Sequence, residues 1–318
     1  MSEIQKRPIS SSGLKVAPLA LGGNVFGWTA DEATSFRILD AFVDAGGMMI
    51  DTADVYSAWA PGHKGGESEA VIGRWLKRDP AKRGKVIIAT KVGFSEGLAP
   101  DVIARACDAS LERLGIDTID IYYQHKDDRQ VPLADSLKAF DDQAKAGKIR
   151  AIGLSNFEPD RLAEACIIAR VDGFPAVSAF QTWYNLLERP KYEAALREVA
   201  EKEGLAVFPF YALANGYLTG KYRSQNDLGK SVRGLRNIEY LEGKGPRVLA
   251  ALDEVAADSG AALASVALAW TMAQPTITAP IASATSLEQA EELIAAMTLE
   301  LTPGQLDRLS EASSFADG

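Results

Sequence analysis

The sequence predicts a (β/α)8 barrel, and three observations support this fold class. The chain has 318 residues and contains eight short apolar segments, each followed by a stretch with helical periodicity. The apolar segments are nearly continuous rather than alternating, which is typical of parallel strands buried on both faces. The composition does not change along the chain, and α/β barrels of about 250 residues or more routinely form one domain. We therefore expect residues 1–318 to form a single α/β domain.

The eight predicted strands can be read directly from the apolar segments. Asp31, Asp101 and Ser286 precede or open helical stretches at positions where side chains commonly cap a helix, with Gln289 as the capping-box partner of Ser286. The predicted strands are 16–22, 48–53, 86–92, 119–125, 149–155, 177–182, 205–211 and 277–283.

Three segments lie outside the eight repeats. Residues 7–16 precede the first strand and predict a short N-terminal hairpin with a Ser-Gly turn. Residues 212–245 form an insertion after the seventh strand, long enough to close over a ligand. Residues 302–314 follow the eighth helix and predict a C-terminal helical extension.

A doubly wound sheet is the main alternative to a barrel. Such a sheet usually begins with a glycine-rich turn of the form G-x-G-x-x-G. The first turn here, GGNVFG (22–27), lacks that pattern. Eight uninterrupted strand–helix units therefore favour the barrel.

Composition limits the classes of partner. The net charge is −9 without a basic stripe, so we expect no nucleic-acid binding. No apolar run approaches the roughly 20 residues of a membrane span, and the N-terminus does not resemble a secretory signal. Two cysteines, Cys107 and Cys166, and only two histidines argue against a disulfide framework and a multi-histidine metal centre. We expect a cytoplasmic protein with no metal and no membrane partner.

Polar side chains stand at the ends of several predicted strands. In this fold the carboxyl ends of the strands meet at one mouth, where active sites lie. Asp51 lies near the end of the second strand and Tyr56 follows five residues later. Lys91 and His125 lie at the ends of the third and fourth strands. Singly, each could cap a turn, pack in the core or extend to solvent; together on three consecutive strands, they indicate a site.

These four residues could protonate a carbonyl oxygen. A phenol has an ordinary pKa of about 10, and a nearby ammonium should lower the pKa of Tyr56. Asp51 should keep Lys91 charged in an apolar barrel, and His125 should hydrogen-bond the carbonyl oxygen. Because the set contains no hydride source, a cofactor must supply one.

Seven segments of the sequence resemble the aldo-keto reductase family. They occur in family order across essentially the whole chain. The strings YLTGKY and LEQAEE, which lie within two of these segments, are most similar to the bacterial branch related to potassium-channel β subunits. The resemblance implies an NAD(P)H-dependent reduction of an aldehyde or ketone, or the reverse oxidation of an alcohol. The segments are DTADVY (51–56), ATKVG (89–93), IDIYYQH (119–125), GLSNF (153–157), QTWYNLL (181–187), ANGYLTGKY (214–222) and ATSLEQAEE (284–292).

The resemblance also implies roles for individual residues. Asp51, Tyr56, Lys91 and His125 match the family's catalytic tetrad, with Tyr56 as the general acid. The nicotinamide carboxamide is expected to contact Ser155, Asn156 and Gln181, and the nicotinamide ring to stack on Phe210, with Tyr211 as a close rival. Further cofactor contacts are implied at Gly23, Asn24, Ala212, Leu213, Ala214, Gly216, Lys221, Arg233, Ser283, Thr285, Gln289 and Glu292.

The sequence departs from the family at the expected adenosine end. Thr285 and Ser286 stand where many members carry an arginine or lysine that pairs with the 2′-phosphate of NADP, and Leu293 replaces an asparagine often seen beside the adenine. Lys221 or Arg233 could compensate. NADP(H) is therefore the first expectation, and NAD(H) or dual use stays open.

The expected substrate contacts are Asn24, Phe26, Trp59 and Trp183, an apolar and aromatic rim with one amide. Such a rim suits aromatic aldehydes, sugar-derived carbonyls or polycyclic ketones. The expected partner is thus a small carbonyl or alcohol, and a homo-oligomer stays open.

Two other functions remain as alternatives. The channel-associated relatives suggest a regulatory subunit that binds the cofactor with little turnover, although an intact tetrad argues against it. A barrel hydrolase or aldolase could instead use Lys91 as a Schiff-base nucleophile. That chemistry needs a lowered lysine pKa, which the neighbouring Asp51 should oppose.

Overall fold

The computed structural model describes residues 4–315 as a barrel of eight parallel strands surrounded by helices. A two-stranded antiparallel hairpin, β1 and β2, precedes the barrel. The neighbouring strands of the barrel sheet follow the order β10-β3-β4-β5-β6-β7-β8-β9. The strands are β1 (Arg7–Pro8), β2 (Lys15–Val16), β3 (Ala20–Gly22), β4 (Met49–Asp51), β5 (Ile87–Val92), β6 (Ile119–Gln124), β7 (Ile149–Ser155), β8 (Val177–Trp183), β9 (Ala206–Phe210) and β10 (Ile281–Ala282).

Helices cover the outside of the barrel and extend it at the C-terminus. The helices are α1 (Glu32–Asp44), α2 (Glu67–Arg78), α3 (Pro100–Leu114), α4 (Leu133–Lys145), α5 (Pro159–Val171), α6 (Pro190–Glu193), α7 (Leu196–Glu203), α8 (Lys244–Ser259), α9 (Leu263–Met272), α10 (Leu287–Ala295) and α11 (Pro303–Ala312). The predicted barrel, the N-terminal hairpin and the C-terminal helical extension are confirmed.

The barrel is nearly closed between β9 and the segment that leads into β10. The Thr278 N–H donates to the carbonyl of Val207 at 2.8 Å, and Val207 forms a parallel bridge with Ile277. At the hairpin, Arg7 Nη1 donates to three carbonyls, those of Met272, Ile277 and Thr278. The hairpin is thereby fixed to the amino end of the barrel, opposite the mouth.

The strand bounds differ from the prediction at both ends of the sheet. The first barrel strand is shorter than predicted because Val16 pairs with Arg7 in the hairpin. The last strand is reduced to Ile281–Ala282, although the segment before it still bonds to Val207. The six central strands lie within two residues of the predicted bounds, and β5 to β9 lie within one.

Two of the three predicted helix caps are confirmed. Asp31 accepts from the Thr34 N–H at 2.8 Å, and Ser286 accepts from the Gln289 N–H at 3.3 Å. The prediction for Asp101 is wrong because α3 begins one residue earlier, at Pro100, whose fixed φ suits a first helical position.

The capping-box prediction for Gln289 is also corrected. Its side-chain Oε1 accepts from the backbone N–H of Thr285 at 2.9 Å rather than from that of Ser286. The Gln289 amide therefore ties the preceding loop to the first turn of α10.

The insertion between β9 and α8 consists of three short 3-10 helices. They span Ala214–Thr219, Gln225–Lys230 and Gly234–Leu241. Tyr211, Ala214 and Asn215 adopt positive φ values of 54°, 47° and 54°. Because side chains disfavour this conformation, the start of the insertion has an unusual backbone directly after β9.

No single helix among residues 4–315 is long and apolar enough to cross a membrane. Helices α8 and α9 reach the required length and composition only as a pair, which is bent by 97°.

Aliphatic side chains and the aromatic rings of Tyr123 and Phe208 fill the barrel interior beneath the mouth. Tyr123 points inward from β6 and is fully buried. Its ring lies against Gly153 of β7, where a Cβ atom would stand 2.3 Å from the ring carbons. The β7–β8 register also shifts at Gly153. A glycine is required here because the Gly153 backbone packs directly onto the Tyr123 ring and leaves no room for a side chain.

This packing predicts the effect of Gly153→Ala. The added methyl group overlaps the Tyr123 ring, so we expect a loss of about 1–3 kcal/mol in the free energy of unfolding. Urea denaturation measures it. Gly84→Ala is the matched control, since a Cβ atom there has no neighbour within 4 Å. Equal stability of the two variants would contradict the packing argument.

Candidate active site

The four predicted catalytic residues converge at the mouth of the barrel. Asp51 is the last residue of β4, Lys91 lies in β5, and His125 follows β6 directly. Tyr56 lies in the turn after β4, and its ring centroid is 6.0 Å from that of His125. Because these strands are parallel neighbours, their carboxyl ends bring the side chains together.

A buried ion pair lies at the centre of this group. Lys91 Nζ donates to Asp51 Oδ2 at 2.6 Å, to the carbonyl of Thr52 at 2.8 Å and to the Tyr56 hydroxyl at 2.8 Å. Gln181 Nε2 donates to the other Asp51 oxygen at 2.6 Å. Lys91 and Asp51 are each about 1% exposed. All three ammonium protons of Lys91 therefore have acceptors, as a buried charge requires.

The expected lowering of the Tyr56 pKa is wrong for this structure. Burial raises the pKa of Tyr56 well above its ordinary value, and the negative charge of Asp51, whose Oδ2 lies 3.3 Å from the hydroxyl, adds to the shift. Desolvation and a carboxylate together outweigh the nearby ammonium. The phenol therefore holds its proton at neutral pH, which is the state that a general acid needs.

Lys91 also departs from its expected pKa. Burial lowers the pKa of Lys91, and Asp51 only partly opposes this shift. The pKa argument against a Schiff base at Lys91 therefore does not hold. The hydrogen bonds provide a different argument, since a nitrogen that donates to three acceptors has no lone pair directed at a substrate.

His125 lies at the mouth as a neutral imidazole. Burial lowers its pKa well below the ordinary value, and the charges of Lys91 and Lys126 add to the shift. Its Nδ1 atom is buried and has no hydrogen-bond partner within the described chain. A neutral imidazole can orient a carbonyl oxygen without competing as the proton donor.

The residues expected to bind the nicotinamide carboxamide lie beside the tetrad. Ser155 pairs in register with Gln181 across β7 and β8, and both are about 1% exposed. Asn156 is exposed, with a φ of 56°, and donates to the His125 carbonyl at 2.9 Å. Gln181 already donates to Asp51, so it connects this region to the ion pair.

The segment expected to cover the pyrophosphate begins at Tyr211. The carbonyl of Tyr211 accepts from Asn185 Nδ2 at 2.9 Å and from the Ala214 N–H at 2.7 Å, which stabilises its unusual backbone. Phe210, Leu213 and Gly216 are half-buried along this segment, whereas the expected contacts Ala212 and Ala214 are buried.

Two cations lie on the same insertion. Lys221 approaches Gly216 so closely that a Cβ atom there would lie 3.2 Å from its Nζ. The Arg233 guanidinium stacks over the Trp28 ring at 5.7 Å. Within residues 4–315 no carboxylate forms an ion pair with either side chain.

The residues expected at the adenosine end lie around β10 and α10. Ser283 donates to Asn24 Oδ1 at 2.7 Å, which joins β10 to the loop after β3. A Cβ atom at neighbouring Gly22 would lie 2.4 Å from the Ser283 hydroxyl oxygen. Gly23 donates its N–H to the Asp51 carbonyl at 2.7 Å. The remaining expected contacts are exposed: Thr285 lies in the loop before α10, and Gln289 and Glu292 lie on its first two turns.

The substrate rim differs in part from the prediction. Trp59 is 49% exposed and packs edge-on to Tyr56, with ring centroids 6.0 Å apart. Trp183 packs against Tyr211 at 4.8 Å, beside the expected cofactor segment. Phe26, in contrast, is fully buried in the core. We therefore remove Phe26 from the expected substrate contacts.

Two aromatic residues at the rim were absent from the prediction. Phe94 is 46% exposed, and its ring lies 4.9 Å from that of His125. Trp28 packs edge-on to Trp59 at 5.5 Å. Both follow barrel strands, in the loops after β5 and β3, so reading these loops for exposed aromatic residues would have identified them.

A second carboxyl group lies behind the tetrad. Asp54, two residues before Tyr56, donates its N–H to the Lys91 carbonyl at 3.2 Å. Its Oδ1 atom is buried without a hydrogen-bond partner. Burial, and then the charge of Glu69, raise the pKa of Asp54 to about 7, while Arg113 opposes the shift. Arg113 is engaged by Glu69 at 2.7 Å, so Asp54 has little compensation for a negative charge.

The raised pKa predicts a pH-dependent stability. The unfolded carboxyl group loses its proton at about pH 4, whereas native Asp54 keeps it to about pH 7, so rising pH favours unfolding in this window. In the wild type, the free energy of unfolding should therefore decline by up to about 1.4 kcal/mol per pH unit, and we expect Asp54→Asn to remove this decline. Urea denaturation between pH 5 and pH 8 measures this, with Asp44→Asn as an exposed control. Parallel curves for the wild type and Asp54→Asn would contradict the assignment.

Comparison with known proteins agrees with this arrangement. The model of the Aldo/keto reductase family matches residues 18–314. The chain is 34% identical over 314 residues to the uncharacterized oxidoreductase YrpG of Bacillus subtilis, covering 95% of this chain and 94% of that protein. It is 30% identical to the aldo-keto reductase str7 of Strobilurus tenacellus, covering 92% of this chain and 85% of that protein. It is 29% identical to the L-glyceraldehyde 3-phosphate reductase of Escherichia coli, covering 99% of this chain and 94% of that protein. The chain therefore belongs to the aldo/keto reductase family.

Proposed function

We propose that the protein reduces an aldehyde or ketone to the alcohol with NADPH or NADH, and oxidises the alcohol in reverse. The observation that carries this proposal is the Tyr56 hydroxyl, held 2.8 Å from the Lys91 ammonium at an open barrel mouth. Family membership supports a carbonyl reaction, and the name of the Escherichia coli relative identifies an aldehyde as the substrate of that protein.

The residues of the mouth fit a nicotinamide dinucleotide. An extended cofactor with two phosphates needs cations, backbone N–H donors and room for close approach. Lys221 and Arg233 are cations without an ion pair in the described chain, and both adjoin the insertion. Gly216 is the close-approach position, since a side chain there would meet Lys221. Ser155, Asn156 and Gln181 would hold the carboxamide.

The four tetrad residues divide the proton chemistry. When bound, the reduced nicotinamide supplies a hydride to the carbonyl carbon. Tyr56 donates its hydroxyl proton to the carbonyl oxygen as negative charge develops there, and Lys91 stabilises the resulting phenolate. Asp51 keeps Lys91 in place. His125 orients the carbonyl oxygen with a neutral imidazole, and the aromatic rim excludes water.

The first test compares the wild type with Tyr56→Phe. Because the substitution removes the acidic proton but keeps the ring, we expect carbonyl-dependent NADPH oxidation to fall about 100-fold or more, with NADPH affinity little changed. An activated aromatic aldehyde is the substrate. Tyr122→Phe is the matched control, since it removes a buried hydroxyl without a hydrogen-bond partner on the outer side of β6.

Two outcomes would contradict the proposal in different ways. Near-normal turnover by Tyr56→Phe would remove Tyr56 from its role as the acid. Tight NADPH binding by the wild type without turnover would favour the regulatory subunit over the reductase.

The choice between NADP(H) and NAD(H) depends on the region around Thr285. Thr285 is exposed and donates through its hydroxyl to Gln289 at 3.1 Å, so this position offers no cation to a 2′-phosphate. We keep NADP(H) as the proposed cofactor because Lys221 and Arg233 can supply positive charge from the insertion. Use of NAD(H) remains within the proposal.

Thr285→Arg tests this choice. A guanidinium beside a 2′-phosphate forms charge-assisted hydrogen bonds, so we expect NADPH to bind about tenfold more tightly relative to NADH. Quenching of intrinsic fluorescence gives both dissociation constants. Thr285→Met adds a long side chain without charge and should leave the ratio unchanged. An unchanged ratio in Thr285→Arg would indicate that the 2′-phosphate lies elsewhere.

A further inference from the structure

A cation without an ion-pair partner lies beside His125. Lys126 is exposed, and its Nζ atom lies 5.0 Å from the centroid of the Phe94 ring. The Phe94 ring in turn lies 4.9 Å from that of His125. The Phe94 ring therefore lies near both the Lys126 ammonium and the His125 imidazole.

The two acidic neighbours of Lys126 in the sequence are engaged elsewhere. Arg161 holds Asp127 through two hydrogen bonds of 2.9 Å. Asp128 accepts from the Leu98 N–H at 2.9 Å and from the Gln130 N–H at 3.0 Å. Among residues 4–315 no carboxylate lies within ion-pair distance of Lys126. In a chain of net charge −9, such a lysine at an active-site mouth is available to a ligand.

Phe94 and Lys126 follow strands that carry none of the proposed cofactor contacts. Those contacts come from the carboxyl ends of β3 and of β7 to β10. Phe94 and Lys126 follow β5 and β6, which otherwise contribute Lys91 and His125. A cofactor that uses the first group leaves the second group to the substrate.

We propose that Phe94 and Lys126 form a subsite for carbonyl substrates that carry an anionic group. The substrate body packs on Phe94, and its carboxylate or phosphate pairs with Lys126. This inference rests on the proposed reductase function and adds its substrate class.

The test compares two aldehydes that differ only in charge. The pair is 4-carboxybenzaldehyde and its neutral methyl ester, each assayed for kcat/KM with NADPH. Lys126→Met should lower kcat/KM for the carboxylate about fivefold, the scale of an exposed ion pair, and change that for the ester less than about twofold. Lys126→Arg should retain the preference for the carboxylate.

Two controls isolate the local charge. Lys15→Met removes an equal charge from the hairpin at the opposite end of the barrel, so it should change kcat/KM for neither aldehyde. Raising the ionic strength from about 0.05 M to about 0.5 M should reduce the carboxylate preference of the wild type but not of Lys126→Met. The aryl phosphate 4-formylphenyl phosphate then shows whether phosphate is preferred to carboxylate.

The possible failures are distinguishable. If the ester is reduced but Lys126→Met affects both aldehydes equally, the anionic subsite is wrong and the reductase function stands. If the wild type prefers the ester, the subsite is also wrong. If no aldehyde is reduced, including neutral 4-nitrobenzaldehyde, the reductase function fails and the subsite with it.

Discussion

The buried pair of Asp51 and Lys91 is the constraint on which the rest of the mouth depends. Two charges removed from water are stable only when their remaining hydrogen-bonding capacity is satisfied. Thr52, Tyr56 and Gln181 complete that capacity. Removing one partner of such a pair typically costs about 3–5 kcal/mol, because it leaves an unpaired charge in the interior. The same contacts that stabilise the pair therefore hold the Tyr56 hydroxyl, the proposed proton donor, and the Gln181 amide in place.

The depth of this pair also decides where the proton resides. Burial raises the pKa of Tyr56 and lowers that of His125, so at neutral pH the phenol is protonated and the imidazole is not. If the same side chains were equally close but exposed to solvent, their pKa values would lie near the ordinary ones, and burial would no longer separate the protonation state of the phenol from that of the imidazole. These protonation states fit the proposed role of Tyr56 as the proton donor, and His125 Nδ1 has no hydrogen-bond partner within the described chain.

Much of this arrangement could be predicted from the sequence because it depends on the pattern of apolar residues and on the order of strands and helices along the chain. Continuous apolar runs identified the strands, and the positions of Asp51, Lys91 and His125 followed from their places at strand ends. The pKa of Tyr56 could not be predicted, because burial depth depends on how loops close over the mouth. Phe26 was misplaced for a related reason: its side chain packs inward from a loop expected to face the ligand.

The availability of Lys126 was equally hidden from the sequence. The run Lys-Asp-Asp suggests a neutralised local cluster, and only the distant Arg161 and the Leu98 N–H show that both carboxylates point elsewhere. Charge at the mouth is therefore determined by contacts between loops rather than by composition. In the proposed arrangement the cofactor contacts follow β3 and β7 to β10, the anionic subsite follows β5 and β6, and the ion pair of Asp51 and Lys91 belongs to neither group. Substrate preference can then change through the loops after β5 and β6 without disturbing the protonation state of Tyr56.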